Sequence, residues 1–358
     1  MSSLAPPIAD DPLSADKTLP PSRPIGVLWR RFVAFAIDVI VLGLVGFAIS
    51  LPFFETFSRL GPWGSLVGFC LALPYFAILN SDVGNGQTLG KRLMHLQVID
   101  KKGNTISFWR SVVRYAVLAV PYFLNEMTLP ATRTPWAGST LVAVVVAGVG
   151  GATLYLVLFN RHTRQGIHDL AIGSYVADAD KDGILKIEPI WGAHWVILSL
   201  LLIALFLGTG VLGDKLAQWG PFPQLLQDVR LVEGMEGVQA AGVQDLNTGS
   251  SGSGEKKKIL VINVYWVGKS ADKHAFADDW KERFAGKWEN QRAFADQVAK
   301  LIIEHDPTVK EHDELKITVI RGYSLGIAHY QVSYYYQHTP AEWTVRLFGA
   351  EEPPPSGP

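Results

Sequence analysis

Long apolar runs are the feature of this sequence that most restricts its fold. A helix needs about 20 mostly apolar residues to cross a bilayer. Five stretches approach that length: residues 32–53, 63–80, 111–128, 138–159 and 192–213. The third is interrupted by Arg114, Pro121, Asn125 and Glu126, which leaves a position at the membrane interface open as an alternative for it. The sequence therefore predicts an α-helical membrane bundle of about five transmembrane helices.

The remaining segments differ from these runs in composition. The N-terminal tail is rich in Pro, Ser and Asp, and the stretch after the fifth run ends in NTGSSGSG, a composition typical of flexible connectors. The predicted organisation is a disordered tail (1–25), a membrane domain (26–178), a connector with the fifth span (179–213), a flexible linker (214–254), a small soluble α+β domain (255–348) and a second disordered tail (349–358).

The C-terminal segment alternates between strand and helix patterns. KKILVINVYWVG reads as a buried strand, and LKITVIRG and IAHYQVSYYYQ read as strands with one wet face. Apolar stripes between them predict helices: Phe276, Trp280, Phe284 and Trp288, then Phe294, Val298, Leu301 and Ile302, ending at Pro307. The order β, α, β, β predicts helices packed on one face of a small sheet.

Charge distribution predicts the orientation in the membrane. With five spans, twelve Lys and Arg residues fall on one side and three in the short connections of the other, and cytoplasmic loops carry the positive excess. The first set is Arg23, Arg30, Arg31, Lys91, Arg92, Lys101, Lys102, Arg110, Arg161, Arg164, Lys181 and Lys186; the second is Arg59, Arg133 and Lys215. The expected arrangement is a multi-pass protein of the cell membrane with a cytoplasmic N-terminus and an extracytoplasmic C-terminal domain.

Asp38 is the most unusual residue of the first apolar run. A carboxylate at the bilayer centre costs about 2.5–3.5 kcal/mol on insertion scales, so it usually faces a bundle interior or pairs with a cation. Arg31 lies seven residues earlier on the same helical face. Arg31, Arg110 and Arg114 are therefore the candidate partners of Asp38.

The segment around Lys91 and Arg92 has a different character. Its glycines resemble a phosphate-binding loop, but the spacing is wrong and Arg92 stands where Ser or Thr is needed. KRLMHLQVID followed by Gly103 predicts a short strand or hairpin at the membrane surface, and its basic start is expected to contact anionic headgroups.

Together these motifs resemble the RDD family of membrane proteins, over roughly residues 25–178. The residues that carry the resemblance are Arg31, Ala34, Ile37, Asp38, Gln87, Thr88, Leu89, Gly90, Lys91, Arg92, Val98, Asp100, Gly103, Arg110, Arg114, Arg161, Gln165, His168 and Asp169. The resemblance implies a small helical membrane domain and maps the family's named arginine and aspartates to Arg31, Asp38 and Asp169. The family's general role is poorly defined, and a few relatives are linked to sodium/proton antiport.

Two hypotheses on function follow. The first is a non-enzymatic membrane scaffold or sensor, in which Arg31, Asp38, Arg110, Arg114 and Asp169 join helices and the outer domain binds a partner or ligand. The alternative is cation or proton transport through the intramembrane carboxylates. No catalytic constellation, cofactor motif or metal-ligand spacing is present, His305 and His312 included, and a net charge of −1 argues against nucleic acid. Expected partners are bilayer lipids with anionic headgroups, a homo-oligomer and an unidentified extracytoplasmic protein or ligand.

Overall fold

The structure is a computed structural model that describes residues 22–126, 136–181, 183–185, 187–209, 215, 218–249, 256–267 and 290–349. Residues 1–21 and 350–358 of the two predicted tails and the aromatic stripe of residues 276–288 lie outside the described residues, whereas Ser22 and Arg23 of the first tail form a short strand. Residues 22–209 form a helical part, and residues 218–349 form a C-terminal domain.

Helices occupy all five apolar stretches. They are α1 (Leu28–Leu60), α2 (Gly64–Leu79), α3 (Leu89–Leu93), α4 (Phe108–Asn125), α5 (Trp136–Ala143), a π-helix (Val144–Gly150), α6 (Gly151–Phe159), α7 (Ile167–Ile172) and α8 (Gly192–Leu207). Two stretches of the described chain are long and apolar enough to cross a membrane, Leu28–Leu79 and Thr140–Phe159. The predicted number of five spans is therefore not confirmed.

Two small sheets lie at the end of the bundle where α1 begins. β1 (Ser22–Arg23) pairs in parallel with β4 (Ile184–Leu185), and β2 (Leu96–Asp100) pairs antiparallel with β3 (Ser174–Asp178). Ala34 of α1 packs against Leu96, Val98 and Val176 of these strands. The strand predicted around KRLMHLQVID is thus present. Its long pairing is with the distant β3, and a single antiparallel bridge from Ile99 to Thr105 gives it a short hairpin arm.

The C-terminal domain is a four-stranded sheet covered by helices. Its strands are β5 (Val238–Gly249), β6 (Lys256–Trp266), β7 (Glu314–Ser324) and β8 (His329–His338), in that spatial order. Its helices are α9 (Phe222–Glu233), α10 (Gln291–His305) and α11 (Pro340–Phe348). β6 and β7 run parallel, and the connection between them contains α10. Phe294, Val298 and Ile302 of α10 are buried in the core, as their spacing predicts.

The prediction of a flexible linker over residues 214–254 is wrong for most of that segment. The described chain forms α9 and β5 there, and β5 pairs with β6 from Val238–Trp266 to Gly249–Lys256. The sequence of β5 is poor in β-branched and aromatic residues, so its composition does not indicate a strand. Backbone pairing with β6 stabilises it, and the compact domain begins well before Lys256.

The turn between β7 and β8 joins the C-terminal domain to the helical part. This turn, residues 325–328, is named the hairpin tip, and it lies among α1, α2 and α4. The Tyr122 hydroxyl donates a hydrogen bond to the Gly326 carbonyl over 2.7 Å. A methyl group on Gly68 of α2 would lie 1.6 Å from the Leu325 carbonyl oxygen. The close approach of backbone to backbone therefore depends on the missing side chain of Gly68.

Candidate functional site

Asp38 is buried on α1, and three neutral donors hold its carboxylate. The Tyr75 hydroxyl of α2 donates to Oδ1 over 2.7 Å, and the Gly90 backbone N–H donates to the same oxygen over 2.8 Å. The Thr88 hydroxyl donates to Oδ2 over 2.6 Å and also accepts from the Lys91 backbone at the start of α3. Asp38 therefore joins α1, α2 and the first turn of α3, where a helix N-terminus favours negative charge.

Among the described residues no ion pair joins Asp38 to Arg31, Arg110 or Arg114, so the predicted pairing with one of these cations is wrong. Arg31 donates from Nη1 to the Arg164 carbonyl and from Nη2 to the Val176 carbonyl, each over 2.7 Å. Arg110 donates to the Ile172 carbonyl. The physical reason is that α2 and α3 bring hydroxyl and N–H donors within reach, whereas the two arginines are held by carbonyl groups around α7 and β3.

Arg114 and Asp169 form the buried ion pair of the site. Arg114 Nε donates to Asp169 Oδ1 over 2.8 Å, and the Ser174 hydroxyl donates to the same oxygen over 2.7 Å. Burial by itself raises the pKa of Asp169, but Arg114, His168 and Arg31 together hold that pKa well below its usual range. Asp169, on the short helix α7, is therefore ionised and fixed in place.

His168 lies beside this pair. Its Nε2 is 3.4 Å from Asp169 Oδ2, and the side chain is buried. Burial lowers the pKa of His168 to about 4, against the opposing effect of Asp169. His168 is therefore neutral at physiological pH.

Lys91 and Arg92 differ in their surroundings. Lys91 Nζ donates to the Asn80 side-chain oxygen over 2.8 Å and lines an internal cavity, whereas Arg92 is exposed. Burial, followed by the charge of Arg114, lowers the pKa of Lys91 to about 7. The expected contact with headgroups is thus compatible with the position of Arg92, while Lys91 lies in the cavity wall.

A cavity of about 560 Å³ lies among α1, α4, α6 and α7. That volume is within the range of small-molecule sites. Its ionisable wall residues are Arg31, Asp38, Lys91, Arg114, His168 and Asp169. Most of the remaining wall is apolar, with Phe35, Leu118, Val146, Leu154 and Val157 among its members. The structure thus brings four of the five predicted intramembrane charges to one cavity, and Arg110 lies outside its wall.

Several residues of the site were not predicted to have a role. Tyr75, Asn80, Thr153 and Ser174 are polar residues near the charged groups, and each is common enough in sequence to give no signal. Thr88 is different, because Thr before a short basic helix is a typical N-cap and could have been identified. Within the described part of the chain, no group of three or more His, Cys, Asp or Glu residues could hold a metal ion.

Comparison with known proteins identifies the helical part. Residues 25–173 match the model of the RDD family. Residues 25–173 are named the RDD domain for this match. The match confirms the predicted family, and the matched residues include Arg31, Asp38, Arg114 and Asp169. RDD proteins are generally membrane proteins. No curated protein and no solved structure matches the chain. The C-terminal domain lies beyond the residues that the RDD model covers.

Proposed function

We propose that this protein is a non-enzymatic membrane scaffold or sensor. In this proposal the charged residues hold the RDD domain together, and the C-terminal domain binds an extracytoplasmic partner or ligand. The protein acts through its shape and contacts, with no chemical conversion.

The observation that carries the proposal is the closed hydrogen bonding of Asp38. Both carboxylate oxygens accept hydrogen bonds from Tyr75, Thr88 and Gly90, which belong to α2 and the α3 region. A carboxylate fixed by three donors has little capacity left for a passing ion, and removing one buried partner leaves the others unsatisfied. This arrangement supports a structural role for Asp38 over a conducting one.

Contacts at and around the hairpin tip connect the C-terminal domain to α1. Tyr323 of β7 bonds Ser50 of α1 through their hydroxyls, and Leu325 is fully buried. Gln239 donates to the Ser58 carbonyl near the end of α1 over 3.0 Å. A partner that displaces the C-terminal domain therefore acts directly on α1, as a sensor requires.

The first test compares Asp38→Asn with Asp82→Asn. Asp82 is exposed and accepts only local backbone bonds, so it is the matched control. The amide at position 38 leaves the Gly90 N–H or a hydroxyl without a full acceptor, and we expect a several-fold loss of folded protein in the membrane. The yield is measured by size-exclusion chromatography in detergent. An unchanged yield and oligomeric state for Asp38→Asn would count against the proposal.

Cation or proton transport is the second candidate, because Asp38 and Asp169 both line the cavity. Its test is flux in sealed proteoliposomes loaded with a pH-sensitive dye, with Na⁺ or K⁺ gradients imposed. A cation-dependent proton flux that is lost in an Asp38→Asn protein that still folds would replace the scaffold proposal. Absence of flux from well-folded protein is the result that the scaffold proposal expects.

The orientation is tested by labelling. Single cysteines are placed at Lys256, in the C-terminal domain, and at exposed Lys101, beside the small sheets, in a Cys70→Ala background. The C-terminal domain contacts the end of α1 through Gln239 and Ser58, and the segment before β2 contacts its start through Met94 and Arg30. An impermeant thiol reagent on intact cells is expected to label position 256 only. Labelling of position 101 alone would reverse the proposed topology.

A further inference from the structure

The cavity of the RDD domain has charged groups clustered at one end and mostly apolar side chains beyond them. Arg114 lies near the start of α4 and Asn125 at its end, and both line the wall. The two positions are eleven residues apart in the helix, which is about 16 Å along the axis. Arg31, Thr153 and His168 accompany Arg114, whereas Leu118, Pro121 and Val146 line the stretch beyond. The shape and the distribution of polarity are those of a site for an amphiphile.

The polar end carries buried polar atoms without partners. Within the described residues these include two donors, Arg31 Nε and Thr153 Oγ1. Nδ1 of His168 is also unpaired, and it is an acceptor because the neutral ring turns its Nε2 towards Asp169. Thr153 and His168 are both more than nine-tenths buried. A buried donor left unpaired costs about 1–3 kcal/mol, so an acceptor supplied by a ligand would stabilise this end.

The charge at this end favours an anion. Asp38 and Asp169, the two carboxylates of the wall, already accept bonds from protein donors. The guanidinium of Arg31 bonds two neutral carbonyl groups and, among the described residues, has no carboxylate within ion-pair distance. An anionic group with several oxygens would complete its hydrogen bonding.

The cavity is bordered by side chains that face outwards. Phe32 and Phe35 of α1 and Leu154 of α6 line it, and their exposed fractions are 47%, 50% and 54%. In a membrane domain, such exposed apolar side chains face acyl chains, so the lipid phase is the nearest source of a ligand.

From these observations we infer that the cavity binds an anionic phospholipid, with its phosphate at Arg31 and Thr153 and one acyl chain beside Leu118 and Val146. This inference goes beyond the proposed function. It rests on the unpaired donors of the cavity and not on the bonds of Asp38, so either can fail while the other stands.

The test is thermal unfolding of the full chain in a non-ionic detergent with three added probes. They are a short-chain phosphatidylglycerol, the phosphatidylcholine with the same chains, and inorganic phosphate. Phosphatidylglycerol is expected to raise the unfolding midpoint by several degrees, at least twofold more than phosphatidylcholine, with no shift from phosphate. Equal midpoint shifts with the two lipids would overturn the headgroup assignment. A midpoint shift with inorganic phosphate as large as that with phosphatidylglycerol would overturn the assignment of a lipid as the ligand.

Two variants locate the site. Val157→Phe fills part of the cavity and is expected to abolish the phosphatidylglycerol shift, whereas Leu158→Phe, outside the wall, is expected to keep it. Thr153→Val removes an unpaired hydroxyl without breaking a protein hydrogen bond, so it tests the headgroup end even where Val157→Phe does not fold. Thr153→Val is expected to reduce, at least twofold, the difference between the midpoint shifts caused by phosphatidylglycerol and phosphatidylcholine. The inference would be overturned if phosphatidylglycerol shifted the midpoint of Val157→Phe as much as that of the wild type. It would also be overturned if Thr153→Val left the difference between the two lipid shifts unchanged.

Discussion

Asp38 shows how neutral donors stabilise a carboxylate in an apolar helix. Its oxygens bond two hydroxyl groups and one backbone N–H, and Gly90 lies so close to α1 that a methyl group there would be 2.0 Å from the Ala34 carbonyl oxygen. Gly90 thereby brings the start of α3 close enough for its N–H to reach Asp38. Gly90, the N-cap Thr88 and Asp38 together join α3 to α1.

Thr88→Val tests this group of contacts. The substitution keeps the volume but removes both the bond to Asp38 and the N-cap of α3, so we expect a loss of about 1–3 kcal/mol in the free energy of unfolding. Denaturation in mixed micelles measures it. Thr209→Val is the control, because its hydroxyl bonds only carbonyl groups of its own helix. A change in Thr88→Val no larger than in the control would contradict the role given to Thr88.

A second residue-scale prediction concerns Asp228 of α9. Burial, with the nearby Asp306, raises the pKa of Asp228 from 3.8 to about 6. The folded state therefore holds a proton that the unfolded state releases between these values. The stability from this group is complete below pH 3.8 and is lost as the pH rises through about 6.

Asp228→Asn is therefore expected to weaken the fall in stability between pH 4 and 6.5, by up to roughly 2 kcal/mol. The measurement is the thermal unfolding midpoint across that pH range. Glu304→Gln, an exposed change on α10, serves as the control and should leave the profile as in the wild type. An identical fall with pH in Asp228→Asn and the wild type would show that another group is responsible.

At the scale of elements, the hairpin tip depends on glycines of two helices. Gly64 and Gly68 of α2 face Ser324 and Leu325, and Gly46 of α1 faces Ile327 and Ala328. Gly326 has a φ of +75°, a left-handed conformation that suits glycine and closes the turn. Small residues at helix surfaces allow close backbone approach, and here the approaching backbone is a β-hairpin.

Gly68→Ala is expected to expel the hairpin tip, because the new methyl group cannot occupy a position 1.6 Å from a carbonyl oxygen. Limited proteolysis should then cleave the C-terminal domain several-fold faster. Gly151→Ala is the matched control, since nothing lies within 4 Å of its added methyl group and Ala favours the helix. Equal cleavage rates in the two variants would mean that the tip does not require Gly68.

At the scale of the whole molecule, the RDD domain and the C-terminal domain are held together by the hairpin tip and by polar contacts around it. Arg321 of β7 pairs with Glu55 of α1, and Gln239 bonds the Ser58 and Arg59 carbonyls. These contacts lie around the last turns of α1. Arg31 and Asp38 lie towards its other end, so α1 connects the two regions.

A crosslink tests this docking. A Cβ on Gly46 would be 3.0 Å from the Ala328 Cβ, close to the roughly 3.5–4.5 Å of a disulfide. Gly46→Cys with Ala328→Cys, in a Cys70→Ala background, is expected to form a disulfide under mild oxidation. With a protease site placed within residues 251–255, the fragments should then separate only after reduction. Gly46→Cys with Val345→Cys is the control pair, and equal crosslinking in both pairs would contradict the docking.

The sequence predicted some elements well and others poorly. The helix containing Phe294, Val298 and Ile302 and the three strands β6, β7 and β8 follow from periodicity, because each buries one face against the same core. α9 and β5 were missed, since β5 is stabilised by pairing with β6 and not by its own composition. The partners of Asp38 were missed because they come from positions 37 to 52 residues away along the chain.

The sequence by itself determined the apolar helices, the RDD motifs and a strand-rich C-terminal region, because hydropathy and periodicity are local properties of a chain. Only the tertiary structure decided which donors hold Asp38, that Arg114 pairs with Asp169, and where the hairpin tip lies. These outcomes depend on backbones approaching within a few ångströms from distant segments. Such approaches are set by packing, and no local pattern records them.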